Sequence, residues 1–199
     1  MSLHDLPQPT LSGARLDLRP FRPGDAPAVQ ALAGAREIAD TTLTVPHPYG
    51  DGAAEQWIAT HAPAWAAGAL ASFAVVERAA GQLVGTIGLT LKPAHARAEM
   101  GYWIGVPFWN RGYATEAAAL VLRFGFEGLG LNRVHAQHFS RNPQSGRVMR
   151  KLGMRHEGRL RQHVRRWGSP EDLEQYGILR DEWLGGPAAG PPTSHPGDP

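Results

Sequence analysis

The sequence predicts an α+β (mixed α/β) fold in which a single domain is built around one sheet. Strand-like and helix-like segments follow each other in the order strand, two helices, three strands, helix, strand, helix and two strands. This order combines hairpins, which join antiparallel neighbours, with helical crossovers between strands. With 199 residues the chain has ample length for one hydrophobic core.

The composition is that of a globular chain, with 42% apolar and 19% charged residues. No apolar run approaches the length of about 18 residues that a membrane helix needs, and no signal peptide is expected at the start. Cysteine is absent, which excludes disulfides, zinc thiolates and a cysteine nucleophile and fits a cytoplasmic location. A net charge of only +2 gives no basic excess for direct nucleic-acid binding.

The first half of the chain is predicted to form one strand and two helices. Leu16 and Leu18 alternate with charged residues, which is typical of a half-buried strand. Asp25 is a suitable cap for the first helix, and Asp51 begins the second. The elements in order are a flexible arm (1–10), a strand (14–21), a helix from residue 25, a loop with two prolines (40–50) and a helix from residue 51 through residue 65.

Strands dominate the second half, where β-branched and aromatic segments are separated by turn residues. Gly81 lies in a hairpin turn, and Gly153 ends the last predicted helix. The predicted elements are strands at 72–77, 83–91 and 97–105, a helix at 115–126, a strand at 133–139, a helix at 142–152, strands at 155–166 and 175–179, and a disordered proline- and glycine-rich tail at 185–199.

One stretch in the middle of the chain, residues 99–127, has the pattern of an anion site. A strand ends near Gly105, a tight turn contains Gly112, and a helix follows. Thr115 is a suitable N-cap, and Glu116 suits the positive end of the helix dipole. Several backbone N–H groups then point at one spot where a phosphate can bind. The alternative is a plain strand-to-helix connection.

The chain resembles the GNAT superfamily of acyl-CoA N-acyltransferases, and within it the branch of ribosomal-protein N-terminal acetyltransferases (RimJ/RimL-like). The resemblance covers residues 11–184, which we take as the domain. The segments that carry it are residues 45–49 (VPHPY), 99–104 (EMGYWI), 109–117 (WNRGYATEA), 142–145 (NPQS), 151–154 (KLGM) and 180–183 (RDEW).

The resemblance implies a mixed, largely antiparallel seven-stranded sheet, flanked by about four helices and splayed where acetyl-CoA binds. The pantetheine arm would pair with the strand backbone, and loop amides would hold the pyrophosphate. The implied cofactor-binding residues are Trp103, Ile104, Val106, Arg111, Gly112, Tyr113, Ala114, Thr115, Asn142 and Lys151. No group of side chains has metal-ligand spacing, so no metal is expected.

The resemblance also points to two catalytic residues, Glu99 and Ser145. Glu99 is the candidate base, with a rim carboxylate that attracts a cationic substrate as the alternative. Ser145 is the candidate acid for the departing thiolate, because Met149 stands where many relatives have a tyrosine and cannot donate a proton. A serine that only hydrogen-bonds the helix backbone is the alternative. His135 and His138 are further candidates for the base.

The expected reaction is transfer of an acetyl group from acetyl-CoA to a primary amine, with a protein N-terminus as the expected acceptor. The alternatives are a small-molecule amine, or an acyl-CoA-binding module without turnover. Residues 45–49 and the alternating side chains of 159–165 are expected to border the acceptor groove, unless the latter form a solvated face of an edge strand. The protein is expected to be a monomer or a homodimer, without membrane partners.

Overall fold

The computed structural model describes residues 6–185 of the chain. The predicted α+β class is confirmed, since one mixed sheet is covered by helices on both faces. The strands are β1 (Leu11–Ser12), β2 (Leu16–Arg19), β3 (Leu70–Glu77), β4 (Gln82–Lys92), β5 (Arg97–Ile104), β6 (Arg133–Phe139), β7 (Arg155–Arg166) and β8 (Ser169–Leu179). Their order across the sheet is β1-β2-β3-β4-β5-β6-β8-β7.

The sheet has eight strands in the described part of the chain, one more than the seven predicted. The additional strand is β1, which pairs Leu11 with Leu18 of β2. Two residues are too few to show an alternating pattern, so the sequence does not reveal this strand. All neighbouring strands are antiparallel except β5 and β6, which run parallel.

Seven α-helices lie among the described residues, whereas about four were predicted. The second predicted helix is divided at Thr60. Pro63 lies three residues later and has no N–H group to donate an intrahelical hydrogen bond. The helices are α1 (Ala26–Ala33), α2 (Arg36–Thr41), α3 (Ala53–Ala59), α4 (His61–Ala66), α5 (Tyr113–Arg123), α6 (Pro143–Lys151) and α7 (Arg180–Leu184). A π-helical turn, Phe124–Gly128, extends α5.

Two hydrophobic cores lie on opposite faces of the sheet. The larger one packs α5 and α6 against the sheet and includes Met100 and Leu122. The smaller one packs α1, α2 and α3 against the other face and includes Val29 and Trp103. Successive side chains of a strand point to opposite faces, so β5 contributes to both cores. The strand β5 is therefore packed against helices on both faces of the sheet.

Part of the predicted flexible arm is attached to the domain. The indole Nε1 of Trp65 donates to the carbonyl of Leu6 at 2.8 Å, and the side-chain amide of Gln8 donates to the carbonyl of Ser72 at 2.7 Å. Residues 6–10 are therefore held against β3 and α4. Residues 1–5 of the arm and all but Gly185 of the predicted tail lie outside the described residues.

Candidate active site

The sheet opens between β5 and β6, and this opening forms the site. The two strands pair only over Arg97–Glu99 and Arg133–His135, and Glu99 with His135 is the last pair. Beyond it β5 continues to Ile104 beside β4, while β6 continues to Phe139 beside β8. The edge of β5 that follows Glu99 is therefore not paired with β6. A cavity of about 1350 Å³ occupies this region.

Most of the sequence-predicted site residues line this cavity. Those that do are Glu99, Trp103, Ile104, Gly112, Tyr113, Ala114, Thr115, Asn142, Ser145 and Lys151. Val106 instead packs against the core that contains Trp103, and Arg111 lies exposed with its guanidinium over the ring of Phe108. The structure thus brings together residues from β5, α5 and α6 that are far apart in the sequence.

The predicted anion site is a loop that ends in the first turn of α5. The helix begins at Tyr113 with Gly112 as its N-cap, so the expectation that Thr115 caps it is wrong. Gly112 has φ +79°, a left-handed conformation that glycine adopts without steric cost. The first-turn N–H groups of a helix have no intrahelical acceptor and can bind an anion.

Glu116 holds this loop to the start of the domain. Its carboxylate accepts hydrogen bonds from the backbone N–H groups of Arg15 at 2.7 Å and Leu16 at 3.2 Å. The Arg15 guanidinium donates to the same carboxylate and to the carbonyl of Arg111, each at 2.8 Å. Glu116 therefore anchors α5 to the turn before β2, in addition to its favourable place near the helix N-terminus.

The side chain of Glu99 is 53% exposed and lies at the point where the sheet opens. Its Oε2 is 3.8 Å from Nε2 of His135, which is largely buried. Burial lowers the pKa of His135 and outweighs the opposite effect of Glu99. His135 is therefore mostly neutral near pH 7, and Glu99 is the more accessible of the two predicted bases.

His138, the third candidate base, is enclosed by other side chains. Its Nδ1 lies 2.8 Å from the carbonyl of Phe139, and its ring stacks on Tyr176 with the centroids 5.6 Å apart. Its Nε2 is buried and has no hydrogen-bond partner among the described residues. Burial lowers the pKa of His138 as well, so this imidazole is held neutral.

Ser145 lies in the first turn of α6, where its hydroxyl Oγ is 2.8 Å from the hydroxyl of Tyr102. Burial raises the pKa of Tyr102 to about 12, although the hydrogen bond with Ser145 opposes this shift. Met149 is 1% exposed and packs in the larger core, so it brings no polar group to the cavity. The sequence marks Tyr102 only as a strand residue and does not reveal this contact between β5 and α6.

One wall of the cavity is formed by residues that follow α2, including Leu43, Val45 and Tyr49. This wall contains the segment 45–49 that was expected to border the acceptor groove. Arg166, at the end of β7, fixes this segment. Its guanidinium donates to the carbonyls of Ala39 at 2.5 Å, Val45 at 2.7 Å and Leu43 at 3.1 Å. Arg141, which follows β6, holds the same segment by donating to the carbonyl of Asp40 at 2.7 Å. Residues 39–45 are thus fixed by two arginines from the other half of the chain.

The side chains expected to alternate over residues 159–165 do not line the cavity. The register of β7 against β8 shifts between Leu160 and Val164, and Gln162 has φ +49°. This irregularity interrupts the alternation on which the expectation rested. Arg159 instead pairs with Asp172 of β8 at 2.5 Å.

The described residues contain no group of three or more His, Cys, Asp or Glu side chains arranged to hold a metal ion. No helix among residues 6–185 combines the length and apolar character required to cross a membrane.

The sequence profile of the acetyltransferase (GNAT) domain matches residues 15–155. The uncharacterised N-acetyltransferase YoaA of Bacillus subtilis is 41% identical over 100 residues, which are 50% of this chain and 56% of YoaA. YdaF of the same organism, provisionally named a ribosomal N-acetyltransferase, is 36% identical over 106 residues, which are 53% of this chain and 58% of YdaF. Each match thus spans just over half the length of the curated relative.

The structure is also similar to the crystal structure of a GNAT-family acetyltransferase from Bacillus anthracis. The TM-score is 0.79 at 26% sequence identity, and the match covers 87% of this chain and 100% of the other. The similarity therefore extends over the sheet and both layers of helices.

Proposed function

This chain belongs to the GNAT family of acetyltransferases, and on that premise we propose that it transfers the acetyl group of acetyl-CoA to a primary amine. The reaction is direct attack of the amine on the thioester in a ternary complex. The acceptor is the α-amine of a protein or peptide N-terminus. The observation that carries this proposal is the opening of the sheet after Glu99 and His135, next to the loop at Gly112.

The opening supports a binding mode for the cofactor. The pantetheine arm lies along residues 103–106, at the unpaired edge of β5 and the turn that follows it, near Trp103, Ile104 and Val106. The carbonyl of Ile104 faces away from β4 there, because the neighbouring N–H of Gly105 is bonded to Val84. The indole Nε1 of Trp109 already donates to the carbonyl of Ile104 at 2.5 Å, which leaves the second lone pair of that oxygen for a ligand. The pyrophosphate is held by residues 111–115, where the α5 N-terminus favours negative charge. Asn142 and Lys151 contact the cofactor from the two ends of α6.

The chemistry requires a neutral amine, an aligned carbonyl and stabilisation of the developing charges. Glu99 is exposed toward the cavity and takes the proton of the amine, directly or through water. Ser145 acts at the sulfur on the other side of the opening, where its hydroxyl lines the same cavity. Glu99 thus acts on the attacking amine, and Ser145 acts on the departing sulfur.

An N-terminal acceptor is favoured by the chemistry of the amine and by the name that YdaF bears. An α-amine has a pKa near 8, so a useful fraction is neutral at pH 7 without a strong base. A weak, exposed base such as the Glu99 carboxylate is sufficient for an amine of this pKa. The location in the cytoplasm and the monomeric or homodimeric state remain predictions from the sequence.

The experiment is a measurement of CoA release from acetyl-CoA with three classes of acceptor. These are peptides with a free N-terminus, the same peptides with a blocked N-terminus, and a set of amino acids, polyamines and aminoglycosides. Release with free but not blocked peptides supports the proposal. Release with small amines but not with peptides indicates that the acceptor is a small-molecule amine. Binding of acetyl-CoA by calorimetry without release for any amine indicates a module without turnover.

A further inference from the structure

A pair of hydroxyl groups in the cavity wall can share its proton in either direction. The hydroxyls of Tyr102 and Ser145 are 2.8 Å apart and join β5 to α6. The Tyr102 hydroxyl also lies 3.4 Å from the carbonyl of Ser145, a longer and weaker contact than the hydroxyl pair. Either atom can donate in such a pair, because each hydroxyl carries one proton and two acceptor lone pairs. The choice matters, because the hydroxyl that accepts keeps its own proton free for another acceptor.

We propose that Tyr102 is a positioning residue for acetyl transfer, whose hydroxyl donates to Ser145 Oγ and so turns the serine proton toward the leaving sulfur. This role rests on the proposed function. Among the described residues the Tyr102 pair is the one side-chain hydrogen bond in which Ser145 Oγ takes part. When Oγ accepts from Tyr102, the O–H bond of Ser145 therefore remains available to the cavity that both residues line.

Two properties of Tyr102 support this direction. A phenol is a stronger acid than an aliphatic alcohol and is the better donor of the pair. Burial raises the pKa of Tyr102 to about 12, so the hydroxyl keeps its proton throughout the neutral range. The ring itself packs against the larger core, which fixes the position of the hydroxyl.

The same pKa argues against Tyr102 as the proton donor to sulfur. An ordinary thiol has a pKa near 8.5, so proton transfer from a phenol of higher pKa to a thiolate is unfavourable. In the proposed step the amine nitrogen forms a bond to the carbonyl carbon, and the C–S bond breaks with its electron pair on sulfur. The sulfur leaves as a thiolate that accepts a hydrogen bond from Ser145, and the amine proton goes to Glu99 or water.

The contact with Tyr102 is the more important because Met149 of α6 has no proton that it could donate to the sulfur. That side chain lies in the core at 1% exposure, on the same helix as Ser145. A serine that rotates freely spends part of its time donating to nearby backbone carbonyls. The hydrogen bond from Tyr102 restricts this rotation and supplies from β5 the orientation that the helix itself does not provide.

The test is a double-mutant cycle with Tyr102→Phe, Ser145→Ala and the double variant. Tyr102→Phe retains the ring and removes only the hydroxyl. We expect kcat to fall about tenfold in each single variant, which is typical of losing a hydrogen bond to a developing charge, while KM for acetyl-CoA stays within about twofold. We expect the double variant to be no slower than Ser145→Ala, because Tyr102 acts through that serine.

Tyr176→Phe is the matched control, because it removes another partly buried hydroxyl, one that accepts a hydrogen bond from Arg150. Its kcat is expected to stay near that of the wild type. An unchanged kcat in Tyr102→Phe, losses that multiply in the double variant, or an equal loss in Tyr176→Phe overturns the role of Tyr102.

A second measurement does not depend on turnover. The ¹³Cζ resonance of Tyr102 should shift in Ser145→Ala and stay in place in Tyr176→Phe, and an unmoved resonance in Ser145→Ala overturns the hydroxyl pair. A wild-type protein that releases no CoA with any amine removes the proposed function together with this role. An active wild type with a fully active Tyr102→Phe variant removes this role and leaves the proposed function intact.

Discussion

Glu99 Oε2 lies 3.8 Å from His135 Nε2, and these two residues form the last pair of β5 with β6 before the sheet opens. Two of the candidate bases from the sequence therefore form one unit at the edge of the cavity. Burial keeps His135 mostly neutral, whereas half of the Glu99 side chain is exposed. A substitution of Glu99 therefore has two effects. It removes the candidate base, and it leaves His135 without the one carboxylate that pairs with it among the described residues.

The first prediction concerns His61, which is buried with both ring nitrogens unpartnered among the described residues. Its ring contacts those of Phe21 at 5.0 Å and Trp57 at 4.4 Å between centroids. Burial lowers the pKa of His61 to about 4. In the unfolded chain the imidazole takes a proton below a pKa of about 6.5, but in the folded protein it does so only near 4. Stability is therefore lost as the pH falls through this window.

We expect the wild type to lose on the order of 2–3 kcal/mol of unfolding free energy relative to His61→Phe between pH 7 and pH 4. Urea unfolding of both proteins at half-unit pH steps gives this difference. His163→Gln, at an exposed position on β7, is the control and should follow the wild type. A constant difference between the wild type and His61→Phe across the window would show that His61 is not held neutral.

The second prediction concerns the loop at Gly112. A valine at φ +79° is strained, and its Cβ would lie 3.4 Å from the guanidinium of Arg15, beside the proposed phosphate site. We expect Gly112→Val to weaken acetyl-CoA binding by at least tenfold, or about 1.4 kcal/mol, measured by calorimetry. Gly81→Val is the matched control, since Gly81 has φ +64° and lies in the β3–β4 turn. It carries a similar backbone strain but should leave the affinity unchanged.

Equal losses of affinity in Gly112→Val and Gly81→Val would mean that strain, and not the phosphate site, causes the effect. Unchanged affinity in a folded Gly112→Val protein would remove the loop from the cofactor site. Thermal unfolding of both variants is needed beside calorimetry, because a left-handed valine lowers stability at either position.

The third prediction concerns Arg166, whose guanidinium binds three carbonyls of residues 39–45. Arg166→Met preserves much of the side-chain volume but leaves these carbonyls without their donor. We expect KM for the acceptor to rise at least tenfold, or about 1.4 kcal/mol, because the segment that lines the proposed acceptor side is then held by Arg141 at Asp40 but no longer at Leu43 and Val45. The affinity for acetyl-CoA should change less than about twofold. Steady-state kinetics with each substrate varied in turn separates the two effects.

Arg161→Met provides the comparison for Arg166→Met, because Arg161 is exposed on the same strand. It should leave both KM values near those of the wild type. If Arg166→Met weakens both substrates equally, the arginine supports the whole domain and not the acceptor side.

The sequence predicted the elements with a long repeating pattern and missed those that depend on distant contacts. Leu16 and Leu18 reveal β2 by alternation, whereas β1 consists of two residues that only its pairing with β2 defines. The loop at Gly112 and the candidates Glu99 and Ser145 could be proposed from the sequence because each lies within a short local motif. Tyr102 and Arg166 were missed for the opposite reason. Their partners lie 43 and up to 127 residues away, so no local pattern contains them.

The last prediction tests Glu99 together with the kind of amine. An α-amine has a pKa near 8 and a lysine amine near 10.4, so at pH 7 about a tenth of the first is neutral and far less than a hundredth of the second. A general base contributes about a hundredfold to ten-thousandfold to the rate. With an α-amine acceptor, Glu99→Gln should lose activity at the low end of this range. Raising the pH toward 9 should restore much of it, because solvent then removes the proton.

The measurement is turnover of the wild type and Glu99→Gln from pH 6 to pH 10 at saturating acetyl-CoA. A lysine or polyamine acceptor should give a larger loss that recovers only at higher pH. His135→Gln is the companion variant, because it removes the neighbour of Glu99 but retains the exposed carboxylate, and it should keep the pH profile of the wild type. A constant ratio of wild-type and Glu99→Gln rates over the whole range, or full activity of Glu99→Gln near pH 6.5, would limit Glu99 to positioning. In that case the neutral fraction of the amine in solution supplies the reactive species without help from the protein.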